Sequence, residues 1–292
     1  MTGRPVQHKT WNLAALWRLP VVGGFAWLKA TPPFAADEAA AIGMLGSGLA
    51  PRVLASAPGR VILAEVPGED LWAATDDQVT SMLGRFVVAQ AMIARDASRG
   101  ADADSGGVGS GRQGLGADLR DRRPRVLVVE VERLLDRLAG GELGAEEVAR
   151  ARGLNERWGA LAECGLPDTF VHGDFHPGNW RGAPGEPPVV LDFADAYWGN
   201  PVQDGLRAID YLPASRRDTA RRAWISAWEE AAPGSRPDEA LRLAEPLAHL
   251  AYAVRYQEFL DNIEESERIY HDGDPEAAIR HALAGLEHSG GS

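Results

Sequence analysis

Apolar and polar residues alternate over residues 11–30, and a period of two residues predicts β-strands. The alternating residues are Trp11, Leu13, Ala15 and Trp17 and, after a stretch with proline and glycine, Phe25, Trp27 and Lys29. We therefore predict two strands joined by a turn at Gly23-Gly24. The alanine-rich segment ADEAAAIGMLGSG that follows favours a helix, and RVILAEVPGED (60–70) predicts a buried strand that ends at Pro67-Gly68.

Helical periodicity replaces this pattern after Asp70. Thr75 and Gln78 match a capping box, and the apolar residues that follow at helical spacing predict an amphipathic helix over residues 76–95. A stretch rich in Gly, Ser and Asp over residues 97–118 predicts a flexible loop. Further helices are predicted over 124–139, 145–163, 213–231 and 237–268, with a last one from Asp274.

The order of these elements predicts an α+β fold. Strands dominate residues 1–68 and helices dominate residues 69–292. We therefore expect a small strand-rich N-terminal lobe and a larger, mainly helical C-terminal lobe. Two short β-like pieces, TFVHG and PPVVLDFAD, flank a polar segment in the second lobe.

Composition narrows the class of partner. The formal net charge of −12 argues against a nucleic-acid partner, because binding phosphate backbones relies on Lys and Arg. The sequence contains no apolar run of the roughly 20 residues that a membrane span needs, so we expect a cytoplasmic protein. The single cysteine, Cys164, excludes an internal disulfide and a multi-cysteine zinc site, and we expect it near the end of a helix. The negative charge fits a cationic or neutral small-molecule substrate, although an acidic surface that serves only solubility is the interpretation we favour.

The polar segment FVHGDFHPGNW (170–180) carries the candidate chemistry. Asp174 and Asp192 lie on either side of a predicted hairpin that would bring Asn179 beside Asp192. Two oxygen ligands with room for water and phosphate oxygens are typical of a Mg²⁺ site. A further carboxylate can orient a hydroxyl nucleophile and accept its proton. The alternative interpretation is a polar turn in which Asp192 merely caps a strand end.

The segments VHGDFHPGN and VVLDFADA resemble the catalytic and metal-binding segments of the aminoglycoside phosphotransferase and choline kinase group. This resemblance implies a bilobal protein-kinase-like fold. It also implies that Asp174 is the catalytic carboxylate, that Asn179 and Asp192 hold Mg²⁺, and that His172 supports the loop. His176 receives no role from the resemblance, and a supporting role in the core is the interpretation we favour.

The resemblance implies further residues outside this segment. Lys29 would reach the nucleotide phosphates and Glu38 would pair with it, with Asp37 as the competing acid. The strand LAEVPGED resembles the hinge between lobes, where the Ala64 carbonyl and the Val66 N–H would contact the base. The segment YWGNPVQD matches the pattern G-x-P-x-x-D, whose last residue, Asp204, would brace the catalytic loop.

The N-terminus departs from this family pattern. Kinase-like proteins begin with a strand, a loop that covers the phosphates and a second strand, all before the lysine strand. Here only about eleven residues precede the first predicted strand. Two interpretations follow: the loop is abbreviated to GRPVQHKTWN (3–12), or the chain lacks part of its N-terminus.

The C-terminal sequence suggests where an acceptor could bind. Glu258, Asp261 and Glu265 recur at helical spacing, and a pocket lined by carboxylates would suit an aminoglycoside-like or other cationic acceptor. The alternative is an ordinary solvated helix face. An apolar pocket is a third interpretation, and its candidate residues are Tyr252, Tyr256, Phe259 and Trp228.

Three functions remain in competition at this point. The leading hypothesis is a small-molecule O-phosphotransferase that uses Mg-ATP, with GTP as the alternative nucleotide. The second is a metal-dependent phosphoesterase that uses His172, Asp174 and His176 as ligands. The third is a nucleotide-binding protein with a kinase-like fold and no catalysis.

Overall fold

The structure, a computed structural model, describes residues 1–11, 13–46, 48–104 and 119–289. Its helices are α1 (Glu38–Leu45), α2 (Asp76–Asp104), α3 (Pro124–Leu138), α4 (Ala145–Arg152), α5 (Asn155–Glu163), α6 (Val202–Tyr211), α7 (Ala214–Ala231), α8 (Pro237–Asn262) and α9 (Asp274–Ser289). Its strands are β1 (Val6–Trp11), β2 (Ala14–Val21), β3 (Gly24–Ala30), β4 (Val53–Ala57), β5 (Arg60–Ala64), β6 (Glu69–Asp70), β7 (Arg120–Arg122), β8 (Thr169–Val171), β9 (Trp180–Gly182), β10 (Val189–Val190) and β11 (Tyr197–Gly199). Short 3-10 helices span Pro177–Asn179 and Glu265–Tyr270.

Contacts between residues divide the chain into two compact units. Unit 1 comprises residues 1–121 and 167–233, and unit 2 comprises residues 122–166 and 234–292. Unit 1 holds all the strands apart from the last residue of β7, together with α1, α2, α6 and α7, whereas unit 2 is built from helices. The predicted α+β class is confirmed. A lobe boundary at residue 68 falls inside unit 1 and stays a prediction.

A five-stranded antiparallel sheet in the order β1-β2-β3-β5-β4 forms the N-terminal part of unit 1. The predicted turn at Gly23-Gly24 is confirmed, because β2 and β3 pair from Val21 opposite Gly24 to Ala15 opposite Ala30. The abbreviated loop predicted over residues 3–12 is wrong for Val6–Trp11, which forms β1. Residues of that segment favour extended backbone, and β2 supplies an antiparallel partner. Asn12 lies outside the described residues.

Several helix boundaries differ from the prediction. Helix α2 begins at the predicted capping box but continues to residue 104, so the loop predicted over 97–118 is wrong for its first eight residues. Residues 105–118 lie outside the described residues. The helix predicted over 145–163 is interrupted after α4, because Gly153 has a low helix propensity and caps its end. Cys164 is buried at the end of α5, as predicted.

The helix predicted over 237–268 ends early, at Asn262. Ile263 has extended backbone (ψ 164°) and its side chain is buried, so the chain leaves the helix axis at this apolar residue. The segment that follows is a separate 3-10 helix. Sequence reasoning missed α6 altogether, although α6 carries Asp204. None of the helices in the described parts of the chain is both long and apolar enough to cross a bilayer.

Helix α2 is the buried support of the polar segment. Its side chains Val79, Met82 and Phe86 are at most 1% exposed. The Phe86 ring stacks on Phe175, with ring centroids 4.0 Å apart and planes 13° from parallel. Stacked aromatic pairs contribute about 0.5–1.5 kcal/mol beyond the area that they bury. Because Phe175 follows Asp174 directly, this contact fixes the backbone from which the Asp174 carboxylate projects.

Candidate active site

Lys29, Glu38 and Asp192 meet in unit 1 although they come from distant parts of the sequence. The Lys29 ammonium lies 2.7 Å from Oε1 of Glu38 and 2.6 Å from Oδ1 of Asp192. Oε1 of Glu38 also accepts a hydrogen bond from the backbone N–H of Phe193, at 2.8 Å. The structure thus brings together the lysine and glutamate selected from the sequence, and Glu38, not Asp37, is the partner. Asp37 instead caps the N-terminus of α1 with its side chain.

The electrostatics of this cluster favour a bound cation. Burial lowers the pKa of Lys29, but the carboxylates of Asp192 and Glu38 outweigh burial and raise it, so the ammonium stays charged. Partial desolvation acts to raise the pKa of Asp192, but the Lys29 charge outweighs it, so that the pKa is lowered. Burial dominates at Glu38 and raises its pKa against the effect of Lys29. One cation facing two acids leaves the cluster short of positive charge when both acids are ionised.

Asp192 occupies an unusual backbone conformation. Its φ of 64° lies in the left-handed region, where Asp and Asn are tolerated better than other non-glycine residues. Phe193 is 1% exposed and anchors the chain directly after it, whereas the Asp192 side chain remains half exposed. The turn thus holds the carboxylate toward the surface of the unit while its Oδ1 stays bound to Lys29. Strained conformations of this kind are found disproportionately at functional sites.

Asp204 on α6 holds the backbone that leads to Asp174. Its Oδ2 accepts hydrogen bonds from the N–H of His172 and from Nε2 of Gln90, both at 2.9 Å, and its Oδ1 accepts from the N–H of Gly173 at 3.0 Å. Burial raises the pKa of Asp204 to about 7, and the backbone donors from His172 and Gly173 act against that rise. This arrangement agrees with the predicted bracing role of Asp204.

The backbone geometry at position 173, in the polar segment 170–180, requires glycine. Its φ is +84°, and an added Cβ would lie 2.4 Å from the carbonyl oxygen of Asp195.

We expect Gly173→Ala to lower the free energy of unfolding by roughly 2–4 kcal/mol, through left-handed strain and displacement of that carbonyl. Urea unfolding would measure the change. Gly84→Ala in α2 is the control, since no atom lies within 4 Å of its added Cβ and helical alanine is favourable. Equal effects of both substitutions would contradict this view of Gly173.

Asp174 is surrounded by hydrogen-bond donors. Nε and Nη2 of Arg207 donate to its Oδ1 at 2.9 and 2.7 Å. Nδ2 of Asn179 lies 3.0 Å from its Oδ2, and Nε2 of His176 lies 3.3 Å from the same oxygen. Burial acts to raise the pKa of Asp174, but the hydrogen bond from His176 and the charge of Arg207 hold it well below its usual range. Asp174 is therefore ionised at neutral pH.

The Arg207–Asp174 contact predicts a pH-dependent contribution to stability. An acid with a lowered pKa stabilises the fold above its ordinary pKa of about 3.9, and this contribution is lost as the pH falls toward the folded-state value. We expect Arg207→Met to lower the free energy of unfolding by roughly 1–3 kcal/mol at pH 7 and by less at pH 3.

Urea unfolding of wild type and Arg207→Met at the two pH values would measure this difference. Arg242→Met is the control, because Arg242 pairs with Asp238 on the exposed face of α8 and should matter by at most about 0.5 kcal/mol. The same destabilisation by Arg207→Met at both pH values would show that the ionisation of Asp174 is not involved.

Hydrogen bonds hold the Asn179 side chain against Asp174. Its Nδ2 donates to the carbonyl oxygen of Asp174 at 2.9 Å, which turns Oδ1 away from that segment. Its backbone carbonyl accepts from the N–H of Leu191 at 2.8 Å, next to Asp192. The predicted hairpin is formed by β9 and β10. An amide oxygen just before β9 and a carboxylate just after β10 would fit Mg²⁺, which takes few protein ligands and prefers oxygen.

The contacts of His172 do not fit a metal-ligand role of the kind that the phosphoesterase hypothesis requires. Nδ1 of His172 accepts from the N–H of Asp174 at 3.2 Å and its Nε2 lies 3.0 Å from the Leu191 carbonyl, so both ring nitrogens are used. Burial lowers the pKa of His172, and the neutral ring donates from Nε2. Across the described ranges, no three His, Cys, Asp or Glu side chains form a cluster that could hold a metal ion. His172 thus supports the loop.

Of the two predicted hinge residues, Ala64 ends β5 and Val66 lies two residues beyond it. Ala64 is its last residue, and its N–H donates to the carbonyl of Arg52 at 2.9 Å. The carbonyl of Val66 accepts from Nε of Arg181 on β9, also at 2.9 Å. Contact of Ala64 and Val66 with a nucleotide base stays a prediction.

The three predicted acceptor acids lie in unit 2 and do not share one helix. Glu258 lies 2.7 Å from Nη2 of Arg122 and 2.6 Å from Nη1 of Arg255. Asp261 accepts two hydrogen bonds of 2.8 Å from Arg137. Glu265 is exposed in the 3-10 helix, so the continuous helical face inferred from the spacing is wrong. Two of the acids are thus already neutralised by arginine.

Sequence reasoning missed several residues that contact the polar segment 170–180. Arg207 was overlooked because α6 was not predicted, and an arginine one turn after Asp204 gives no signal without that helix. Gln90 on α2 gave no sequence signal, yet it is fully buried and bonds both Asp204 and the Phe170 carbonyl. The aromatic residue Trp72 packs against His176 and gave no sequence signal.

A known protein family and several solved structures are similar to this chain. The profile of a phosphotransferase enzyme family matches residues 24–247. No curated protein matches the chain. The solved structure of a choline/ethanolamine kinase family protein from Mesorhizobium loti is similar, with a TM-score of 0.61 and 17% identity over 98% of this chain and 92% of that one.

Two further solved structures share the fold. A macrolide 2′-phosphotransferase from Brachybacterium faecium is 20% identical, with a TM-score of 0.56 over 92% of this chain and 90% of that one. An aminoglycoside phosphotransferase with bound ADP is 14% identical, with a TM-score of 0.59 over 97% of this chain and 94% of that one. These likenesses confirm the predicted protein-kinase-like fold.

Proposed function

Because the chain belongs to the phosphotransferase enzyme family, it is a small-molecule kinase, and we propose that it transfers the γ-phosphoryl group of Mg-ATP to a hydroxyl group. The observation that carries this proposal is the convergence of Lys29, Glu38 and Asp192. A buried lysine shared between two carboxylates, one on α1 and one after a hairpin, is the arrangement that positions nucleotide phosphates in kinases.

The Lys29 ammonium at the centre of this cluster supports nucleotide binding. Lys29 would contact the nucleotide phosphates, and Glu38 would keep it in place. The Ala64 carbonyl and the Val66 N–H would contact the base. The structure of an aminoglycoside phosphotransferase with ADP shows that a protein of this fold binds a nucleotide.

The metal-binding role falls to Asn179 and Asp192. Oδ1 of Asn179 and the carboxylate of Asp192 would hold Mg²⁺, and the remaining ligands would be water and phosphate oxygens. When bound, Mg²⁺ neutralises charge on the phosphate oxygens. Nδ2 of Asn179 meanwhile holds the carbonyl of Asp174, so the same side chain connects the metal site with the catalytic carboxylate.

Asp174 orients the acceptor in this proposal. Its carboxylate would accept a hydrogen bond from the acceptor hydroxyl, whose oxygen forms the new P–O bond as the bond between the γ-phosphorus and the bridging oxygen of ADP breaks. Because its pKa is held low, Asp174 is a weak base and acts first by alignment, taking the proton late. The loose transition state of phosphoryl transfer requires no more than this.

An aminoglycoside-like or other cationic acceptor stays a prediction. Glu258 and Asp261 pair with arginines in unit 2, so neither offers an unbalanced charge to an ammonium group. Contact of Glu258, Asp261 or Glu265 with an acceptor is therefore left to experiment, with cationic and neutral acceptors tested side by side.

The test is ADP release by purified protein from Mg-ATP, and in parallel GDP release from Mg-GTP. Separate pools of aminoglycosides, macrolides and neutral hydroxylated metabolites serve as acceptors, and Asp174→Asn is assayed alongside. We expect release that depends on one pool and is lost in the variant. Equal release by wild type and variant would contradict the proposal.

The short connection between β1 and β2 is the reason to test the non-catalytic alternative as well. Only residues 12 and 13 separate β1 from β2, where kinase-like proteins carry the loop that covers the phosphates. If calorimetry shows nucleotide binding while no pool supports turnover, the chain would be a nucleotide-binding protein of this fold without catalysis.

A further inference from the structure

His176 lies in the polar segment 170–180, and the proposed function gives it no task. We propose that His176 is a positioning residue, whose Nε2–H fixes the carboxylate plane of Asp174 for the acceptor hydroxyl. This inference rests on the proposed function for its kinetic consequence, but the contact itself can be measured without catalysis.

The hydrogen bonds of His176 define its tautomer. Its Nδ1 accepts from the N–H of Gly178 at 3.1 Å, in the manner of a cap on the 3-10 helix Pro177–Asn179. A ring nitrogen that accepts carries no proton, so the neutral ring carries its proton on Nε2. Nε2 lies 3.3 Å from Oδ2 of Asp174. The other near neighbour, Nδ2 of Asn179, is itself a donor, so Asp174 is the acceptor.

Two aromatic rings hold the imidazole in this orientation. His176 stacks on Trp72 and on Tyr211, with ring centroids 5.2 and 4.7 Å apart. Trp72 is 50% exposed and Tyr211 is 41% exposed, whereas the His176 side chain is 12% exposed, so the rings cover it from water. Trp72 also packs on Gly178, where an added Cβ would lie 2.2 Å from its ring. Rotation of the imidazole would disturb both stacked contacts.

His176 completes the set of donors around Asp174. A carboxylate offers about four lone-pair directions. Arg207 supplies two donors to Oδ1, and Asn179 and His176 supply one each to Oδ2. The His176 contact is the longest of the four. Hydrogen bonds of this kind are often long before substrate binds.

A pair of variants separates positioning from capping. Asn in place of His176 reaches the Nδ1 position and keeps the cap to Gly178, but it cannot reach Asp174. Gln reaches the Nε2 position and can donate to Asp174, but it is a poor cap. Both variants lose the ring, so the loss of stacking is common to them.

Turnover and thermal stability are measured for both variants, with ADP release from Mg-ATP assayed with water as the acceptor. We expect His176→Asn to lower kcat about 10-fold with KM for ATP nearly unchanged, and to lower Tm only by the loss of ring stacking. His176→Gln should recover most of kcat while its Tm falls below that of His176→Asn. Full turnover in His176→Asn, or equal losses in the two variants, would overturn the proposal.

Imidazole NMR tests the contact independently of activity. In ¹⁵N-labelled protein we expect the His176 ring in the Nε2–H tautomer, with an Nε2 resonance that shifts in Asp174→Asn. An Nδ1–H tautomer, or a resonance that Asp174→Asn leaves in place, would overturn the proposal. If wild type releases no ADP with water as the acceptor, the acceptor pools still test the proposed function, and the NMR result decides the His176 contact.

Discussion

Asp174→Asn is expected to lower phosphoryl transfer by about 10²- to 10⁴-fold while leaving the Kd for Mg-ATP within about 3-fold of wild type. The amide keeps an oxygen that can accept from Arg207, so the side chain should stay in place. It loses the negative charge that orients the acceptor hydroxyl and takes its proton. In the proposed function, nucleotide binding depends on Lys29 and Asp192. No hydrogen bond joins Asp174 to either of them in the described residues.

Single-turnover ADP release and calorimetric titration with Mg-ATP would measure the two quantities on the same preparation. Asp218→Asn on α7 is the matched control, because Asp218 is exposed and lies outside the site. It should behave as wild type in both measurements. Turnover by Asp174→Asn at the wild-type rate would show that Asp174 is not the catalytic carboxylate. Loss of Mg-ATP binding along with turnover would show that Asp174 belongs to the nucleotide site.

The parts of the site that the sequence predicted are local. Asp174 and Asn179 lie five residues apart in one turn, and a short hairpin brings Asp192 beside Asn179. Their relation depends on turn geometry over about twenty residues, which proline and glycine signal in the sequence. The same holds for the β2–β3 hairpin that carries Lys29.

Contacts between distant segments could not be predicted from periodicity. Lys29 and Asp192 are 163 residues apart, and only the resemblance to a family connected them before the structure did. Arg207 illustrates the limit, since its contact with Asp174 spans 33 residues and depends on a helix that the sequence pattern did not reveal. Composition cannot distinguish such an arginine from a solvated one.

For the acceptor acids, the sequence predicted a shared helix face that the structure does not have. Spacing alone placed Glu258, Asp261 and Glu265 on one helix face. Burial of Ile263 ends α8 before that face is complete, and arginines neutralise the first two acids. A pattern of charges predicts a surface only when the helix beneath it continues, and helix ends are decided by tertiary packing.

Asp192→Asn is expected to weaken Mg-ATP binding about 10- to 100-fold. Asn tolerates the left-handed φ of 64° at this position, and its amide oxygen can still accept from Lys29, so the fold should be retained. What the variant loses is one negative charge. The cluster of Lys29, Glu38 and Asp192 then no longer has an excess of negative charge when its acids are ionised, and a divalent cation is held less firmly.

Calorimetric titration with ATP in excess Mg²⁺ and again in EDTA would isolate this effect. We expect wild type to bind more tightly with Mg²⁺ than without it, and Asp192→Asn to lose most of that difference while its affinity in EDTA stays within about 3-fold. Asp76→Asn is the control, because Asp76 is an exposed acid of unit 1 that pairs with one arginine, Arg216. A Mg²⁺-dependent gain in Asp192→Asn equal to that of wild type would show that the metal is held elsewhere. Equal weakening in Mg²⁺ and in EDTA would mean that Asp192 acts through Lys29 on the phosphates, since the metal would then have no part in its effect.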